Sequence, residues 1–146
     1  MVLSPDFKEF LQSLNDNQVR YLVAGGYAVA LHGYPRYTND LDIWIELERD
    51  NAERLITALE HFDFASLELT AEDFLTPGTI IQLGYPPNRI DLLTSLSGVD
   101  FETCYESCMV IQVDDIKVNF IDLANLKRNK QAAGRPQDLA DLDNLK

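Results

Sequence analysis

The stretch RYTNDLDIWIE, residues 36–46, places two aspartates one residue apart, Asp40 and Asp42, at the head of an apolar run of Leu41, Ile43, Trp44 and Ile45. The β-branched and aromatic content predicts a strand over 40–47. Alternate residues of a strand share a face, so both carboxylates point one way while Leu41, Ile43 and Ile45 point into a core. Two carboxylates roughly 7 Å apart on one face repel each other unless a cation lies between them. Lys or Arg can supply that charge. So can a hard divalent cation, which prefers oxygen ligands and, for Mg²⁺, takes one or two carboxylates together with substrate phosphates. Asp91, in RIDLL, is a third acid embedded in an apolar strand. If that strand lies beside the first, three carboxylates converge at one spot.

Three converging aspartates are a recurring arrangement for two-metal phosphoryl and nucleotidyl transfer, where one ion activates an attacking hydroxyl and the other steadies the departing pyrophosphate. The same short pattern also describes strand-end acids that face water. A second signal precedes it. YLVA (21–24) is a short apolar strand running into Gly25-Gly26, and paired glycines that open a helix let backbone N–H groups approach phosphate oxygens closely; a simple tight turn uses glycine equally well. The pair precedes Asp40 by fourteen residues, with a short helix and a loop between, which brings a phosphate cradle and cation ligands to one end of a sheet.

The rest of the chain supplies the frame for these residues. Ser4-Pro5 starts a helix with Phe7, Phe10, Leu11 and Leu14 on one face. YAVALHG is a short helix stopped at Gly33. Asp50 caps a helix carrying Ala52, Leu55, Ile56 and Leu59. TIIQLG (79–84) and RIDLLT (89–94) form a hairpin about the turn YPPN, and MVIQV and IKVNFI form another about Asp114-Asp115. A helix over 100–108 lies between the hairpins. Two helices close the chain, one capped by Asp122 and running to Gly134, the other opened by Pro136 with Leu139, Leu142 and Leu145 as its buried stripe. The expected fold class is α+β, a mixed central sheet flanked by helices in a single domain over 1–146.

The 146 residues carry 24 acids against 12 Lys and Arg, for a net charge of −12. A generic basic surface for nucleic acid is thereby excluded. No apolar run approaches a membrane span, and MVLSPDFKEF has no signal-peptide pattern, so the expected location is cytoplasmic, with no membrane partner. Cys104 and Cys108 fit a reducing compartment and, without a nearby histidine, are read as buried thiols rather than zinc ligands. The charge is uneven. No acid occurs from Leu123 to Gln137, where Lys127, Arg128, Lys130 and Arg135 fall; this is either one solvated helix face or a local anion site.

YLVAGGYAVALHGYPRYTNDLDIWIE, residues 21–46, resembles the signature of the nucleotidyltransferase superfamily related to DNA polymerase beta: a glycine pair at a strand end, Asp-x-Asp on the next strand, and a third acid on a later one. GYPRYTNDLDI and the ending LKRNKQAAGRPQDLADLDNL are similar to small prokaryotic nucleotidyltransferase-like proteins, including AbiEii-type toxins of toxin–antitoxin systems. The resemblance implies that Gly25 and Gly26 hold a triphosphate. Asp40 and Asp42 would bind Mg²⁺ (or Mn²⁺), and Asp91 would complete the nucleophile-side ion and help deprotonate an acceptor hydroxyl. Tyr27 stands where many relatives carry serine, which removes one hydroxyl from the phosphate cradle. Lys130 and Arg135 become the preferred phosphate contacts, Lys127 a further one. Arg36 and Thr38 would contact phosphate or orient the aspartates; Arg36 serves equally as charge compensation. Tyr34 and Tyr37 could stack on a base or pack locally, and His32 is read as structural.

The implied activity is transfer of NMP from an NTP to a hydroxyl on tRNA, a protein or a small molecule, with a partner chain or homodimer completing the site. Two readings stand beside it: a catalytically silent binding or regulatory subunit, and a metal-dependent phosphohydrolase, for which the expected histidines are lacking. Asp91 decides between the first two, because it must reach Asp40 and Asp42 to share their ions.

Overall fold

The computed structural model describes residues 2–38, 40–62, 68–84 and 88–145. Helix α1 (Pro5–Asp16) leads to strand β1 (Tyr21–Ala24), helix α2 (Gly25–Leu31), strand β2 (Asp40–Ile45) and helix α3 (Arg49–Glu60). Strands β3 (Ile80–Leu83) and β4 (Arg89–Leu93), helix α4 (Phe101–Glu106), strands β5 (Met109–Val113) and β6 (Ile116–Phe120), and helices α5 (Leu123–Ala133) and α6 (Pro136–Asn144) follow. A short 3-10 turn at Ala71–Phe74 buries Phe74 below α3. The six strands form one mixed sheet in the order β3-β4-β2-β1-β6-β5. The expected α+β class with two hairpins is what the chain adopts; of the turn YPPN, residues 85–87 lie outside the described residues.

The core forms where the sequence concentrates apolar residues by period. Phe7, Phe10, Leu11 and Leu14 of α1 are buried, and Ser4 caps this helix by accepting a hydrogen bond from the Phe7 N–H at 3.2 Å. Leu41, Ile43 and Ile45 of β2 are buried on one face of the sheet and Trp44 on the other, against Phe101 edge-on at 5.1 Å. A central strand covered on both faces in this way is held rigidly, and the two acids at its start inherit that rigidity.

Three local expectations are corrected. Glu48, not Asp50, caps α3: its carboxylate accepts the Asn51 N–H at 2.9 Å, while Asp50 sits in the first turn, where the helix dipole favours a negative charge. Strand β2 stops at Ile45 rather than Leu47, because the Asn51 side-chain amide bonds the carbonyls of Arg20 and Glu46 at 3.1 Å each and ends the ladder. The third correction bears on the site. Of the expected leucine stripe of α6 only Leu145, at the C-cap, is buried: Leu139 is 47% exposed and Leu142 half-buried, and the helix instead turns Asp138 and Asp141 inward, at 2% and 0% exposure. Leu139→Gln is therefore expected to change stability by no more than about 0.5 kcal/mol in chemical denaturation, as for an exposed surface position.

Candidate active site

Strand register brings the aspartates together. β2 pairs with β4 in parallel, with Asp40 beside Arg89 and Asp42 beside Asp91, and on its other side β2 pairs antiparallel with β1, with Asp42 beside Ala24. Asp40 and Asp42, two apart on one strand, and Asp91 across from Asp42 therefore share one face of the sheet. One carboxylate oxygen from each lies within 4.8 Å of the others. The convergence demanded of Asp91 is met.

The glycine pair follows directly from the same register, since Gly25 is the first residue after the Ala24–Asp42 pairing. Gly25 adopts φ +60°, and a Cβ there would overlap the Asp42 carboxylate; a Cβ on Gly26 would stand 2.8 Å from Thr38 Cβ and Oγ1. Both glycines are thus needed for the backbone of α2 to pass against the acidic strand and the loop before it. Thr38 in turn donates from Oγ1 to the Asp40 carbonyl at 3.2 Å, which fixes the entry into β2.

These groups line a cleft of about 780 Å³ whose wall includes Arg36, Gln82, Ser95, Ser97, Asn129, Lys130 and Arg135. Electrostatically the cleft is strained. Burial, then the neighbouring charges of Asp91 and Asp40, push the Asp42 carboxyl up to about 6 against the opposing pull of Lys130 and Arg89. Asp91 is also raised, chiefly by burial, with Arg89 opposing. Asp91 Oδ1 is buried and accepts no hydrogen bond: Arg89 Nε stands 3.0 Å away but out of line. A buried carboxylate oxygen without a donor, beside two further carboxylates, is the donor set a hard divalent cation requires. Oxygens bound to one Mg²⁺ lie about 3–4 Å apart, so small side-chain rotations close the set on an ion.

The raised Asp42 gives this fit a pH signature. A cation must displace the proton that Asp42 holds below about 6. Mn²⁺ affinity, read by the paramagnetic resonance of free Mn²⁺, is expected to be level above pH 7 and to fall by about tenfold per unit below pH 6.

No family model and no curated protein matches the sequence. Solved structures do match the fold. The chain superposes on the nucleotidyltransferase candidate TM1012 of Thermotoga maritima with a TM-score of 0.65 at 14% identity, over 98% of this chain and 94% of that one. The chain has the nucleotidyltransferase fold. An antigenic nucleotidyltransferase-like protein of Paracoccidioides brasiliensis matches with a TM-score of 0.56 at 18% identity, over 98% of this chain and 77% of that one. The lincosamide antibiotic adenylyltransferase LnuA, solved with lincomycin bound, matches with a TM-score of 0.56 at 15% identity, over 99% and 96%.

In this nucleotidyltransferase fold the basic residues sit differently from the sequence expectation. Lys130 lines the cleft but is 5% exposed, with Nζ 3.3 Å from Asp138 and 3.0 Å from Asp141. Arg135 reaches into the same cleft and bonds Asp138 at 2.7 Å. Arg36 forks onto Asp141 through Nε and Nη2 at 2.8 and 2.9 Å. Three of the four cations named as phosphate contacts are thus tied to two buried acids of α6. Lys127 does not line the cleft, and Arg128 is exposed and bonds Asn125.

The aromatic and histidine readings divide. Tyr34 packs against the core, whereas Tyr37 is 81% exposed. Tyr27 sets its ring edge-on to Phe7 at 5.8 Å. Its phenol is raised, first by burial and then by the charge of Asp40. His32 is structural, its Nε2–H donating to the Ile121 carbonyl at 2.8 Å. Cys104 is buried in α4 and Cys108 lies beyond the end of that helix; both thiols are free.

Sequence reasoning missed Asp138, Asp141 and Arg89. The i, i+3 spacing of Asp138 and Asp141 was a usable signal, being the spacing of a helix face opposite a basic helix. Arg89 carries one too. A basic residue two before Asp91 on a strand must share its face.

Proposed function

We propose that this chain is a divalent-metal-dependent nucleotidyltransferase that moves NMP from an NTP to a hydroxyl acceptor. The observation that carries the reading is the convergence of Asp40, Asp42 and Asp91 within 4.8 Å in a cleft that Lys130 and Arg135 also line. The fold shared with LnuA, an adenylyltransferase, supports it.

In the balanced reaction the acceptor oxygen forms a bond to the α-phosphorus, the bond from that phosphorus to the β-bridging oxygen breaks, and pyrophosphate leaves. Asp40, Asp42 and Asp91 would hold Mg²⁺ or Mn²⁺, which when bound supplies charge neutralisation at the phosphates and lowers the pKa of the attacking hydroxyl. Asp91, its carboxyl raised chiefly by burial, would help deprotonate the acceptor hydroxyl. Gly25 passes against the Asp42 carboxylate and Gly26 against Thr38, and both line the cleft, where they would hold the triphosphate. Lys130 and Arg135 supply positive charge in the cleft, held by ion pairs with Asp138 and, for Lys130, Asp141. Little covalent work by the protein is needed; positioning and charge supply the rate.

The acceptor hydroxyl belongs to a tRNA, a protein or a small molecule, a partner chain or second copy completes its binding, as in two-component nucleotidyltransferase systems, and the chain would act as a toxin–antitoxin component. The proposed setting is the cytoplasm; among the described residues no helix is long and apolar enough to cross a membrane. The test is incubation of the chain with each α-labelled NTP and Mg²⁺, in the presence of total tRNA, total protein or a small-molecule extract. Label should move to one pool with stoichiometric pyrophosphate. Pyrophosphate-free nucleotide hydrolysis, or the absence of label in every pool, would oppose it and favour the silent-subunit reading.

A further inference from the structure

Arg89 lines the cleft, and neither the resemblance nor the reaction above uses it. It begins β4 in register with Asp40, two residues before Asp91 and on the same face. Its guanidinium lies over the carboxylates: Nη2 stands 2.7 Å from Asp40 Oδ2 and 3.2 Å from Asp91 Oδ2, and Nε stands 3.0 Å from Asp91 Oδ1. Both oxygens of Asp91 and one of Asp40 are thereby engaged, and these two acids belong to the set that would hold a cation. The pairing is also imperfect, since Nε and Asp91 Oδ1 are buried and close but make no hydrogen bond with each other. Arg89 is a wall residue of the cleft and its side chain is 29% exposed, so the guanidinium has open volume to move into.

We propose that Arg89 is a built-in competitor of the divalent cation: it neutralises Asp40 and Asp91 in the metal-free chain and must swing off them when the ion binds. A guanidinium and a divalent cation cannot share the same carboxylate oxygens, because each needs their lone pairs and the two positive charges repel. The released guanidinium stays tethered at the edge of the cleft, where an anionic ligand arriving with the metal gives it a new partner. Metal and a phosphate-bearing ligand thereby assist each other's binding, and by linkage the assistance is reciprocal. A cation without the anion would bind weakly, which protects the site from idle occupancy. The inference rests on Asp40 and Asp91 as cation ligands but not on nucleotide transfer, and it is read out by metal alone.

The experiment is Mn²⁺ titration of the wild-type chain and of Arg89→Gln, without nucleotide, at pH 7.5, followed by the resonance of free Mn²⁺. Arg89→Gln is expected to bind Mn²⁺ about tenfold more tightly, the size of one charge-assisted hydrogen-bonded contact removed from the competitor. Arg89→Lys, which keeps the charge but loses the fork, should fall between. Equal or weaker Mn²⁺ binding by a folded Arg89→Gln chain would overturn the proposal. A second measurement needs no variant: in wild type, the Arg89 Nε–H resonance should shift and exchange faster with water on saturation with Mg²⁺. An unchanged resonance at saturating Mg²⁺ would overturn it equally. A chain that shows the exchange yet transfers no nucleotide would keep this inference and lose the proposed activity.

Discussion

Asp42→Asn is expected to abolish ion-dependent nucleotide binding and to lower any transfer activity by at least about 100-fold, while making the metal-free protein more stable at pH 8. The two effects have one cause. Asp42 is held at the start of β2 between Ala24 and Asp91, where burial and two like charges push its carboxyl up to about 6 from an ordinary 3.8. A raised carboxyl contributes stability that is complete below the unfolded value and is lost as pH rises through the folded value. Ionising this group in the folded chain therefore costs about 3 kcal/mol at pH 8, from a shift of roughly two units at 1.36 kcal/mol each. Asparagine removes the charge but keeps a buried amide that needs partners, so the net gain should be smaller, about 1–2 kcal/mol. Thermal melts at pH 8 and pH 4 check it: the variant should melt higher than wild type at pH 8 and level with it at pH 4. A site carrying strain of this kind at its chemical centre is the trade expected of a functional position.

Asp141→Asn is expected to destabilise the fold by about 3 kcal/mol, the cost of taking a charged partner from buried Lys130 and half-buried Arg36 at once. Asp141 is fully buried, accepts both prongs of Arg36, and lies 3.0 Å from Lys130 Nζ. Desolvation would raise its carboxyl, but Arg36 and Lys130 outweigh that and hold it below the ordinary value; Asp138 is held low in the same way by Arg135 and Lys130. A depressed carboxyl contributes stability above the unfolded value and loses it as pH falls through the folded one, so the clasp of α6 on α5 and the 34–38 loop should weaken only in acid. Urea denaturation at pH 7 and pH 3 measures this: the gap between wild type and variant should be widest at pH 7 and narrow at pH 3. Because Arg36 and Lys130 also line the cleft, nucleotide affinity should drop alongside stability, whereas Leu139→Gln, two residues earlier on the exposed face of the helix, should touch neither.

These two residues also mark how far the sequence could be read. The Asp40/Asp42 pair and the glycine turn are local signals, three-residue and two-residue patterns at strand ends, and each lands where its spacing places it. Asp91 was within reach because an acid inside an apolar strand needs a partner, and the parallel β2–β4 pairing supplies one. Helix α6 was misread for a different reason. Leu139 and Leu142, and Asp138 and Asp141, have the same three-residue spacing, and their stripes lie side by side on the helix. Which stripe turns inward is decided by what stands opposite, and Lys130 and Arg36 stand opposite only once the chain has folded. The cap of α3 fell to Glu48 because Asn51 was recruited to close the end of β2, a tertiary demand invisible to a cap rule. The steric need for glycine at 25 and 26 likewise comes from Asp42 and Thr38, which are distant in sequence and adjacent in space.

The most direct measurement is calorimetric titration of ATP, GTP, CTP and UTP, each with and without Mg²⁺, into the wild-type chain and into Asp40→Ala/Asp42→Ala. The account expects at least one NTP to bind wild type only when Mg²⁺ is present, and the double variant, still folded, to bind none. Mg²⁺-independent binding, binding that survives in the double variant, or no binding of any NTP by folded wild type would contradict it.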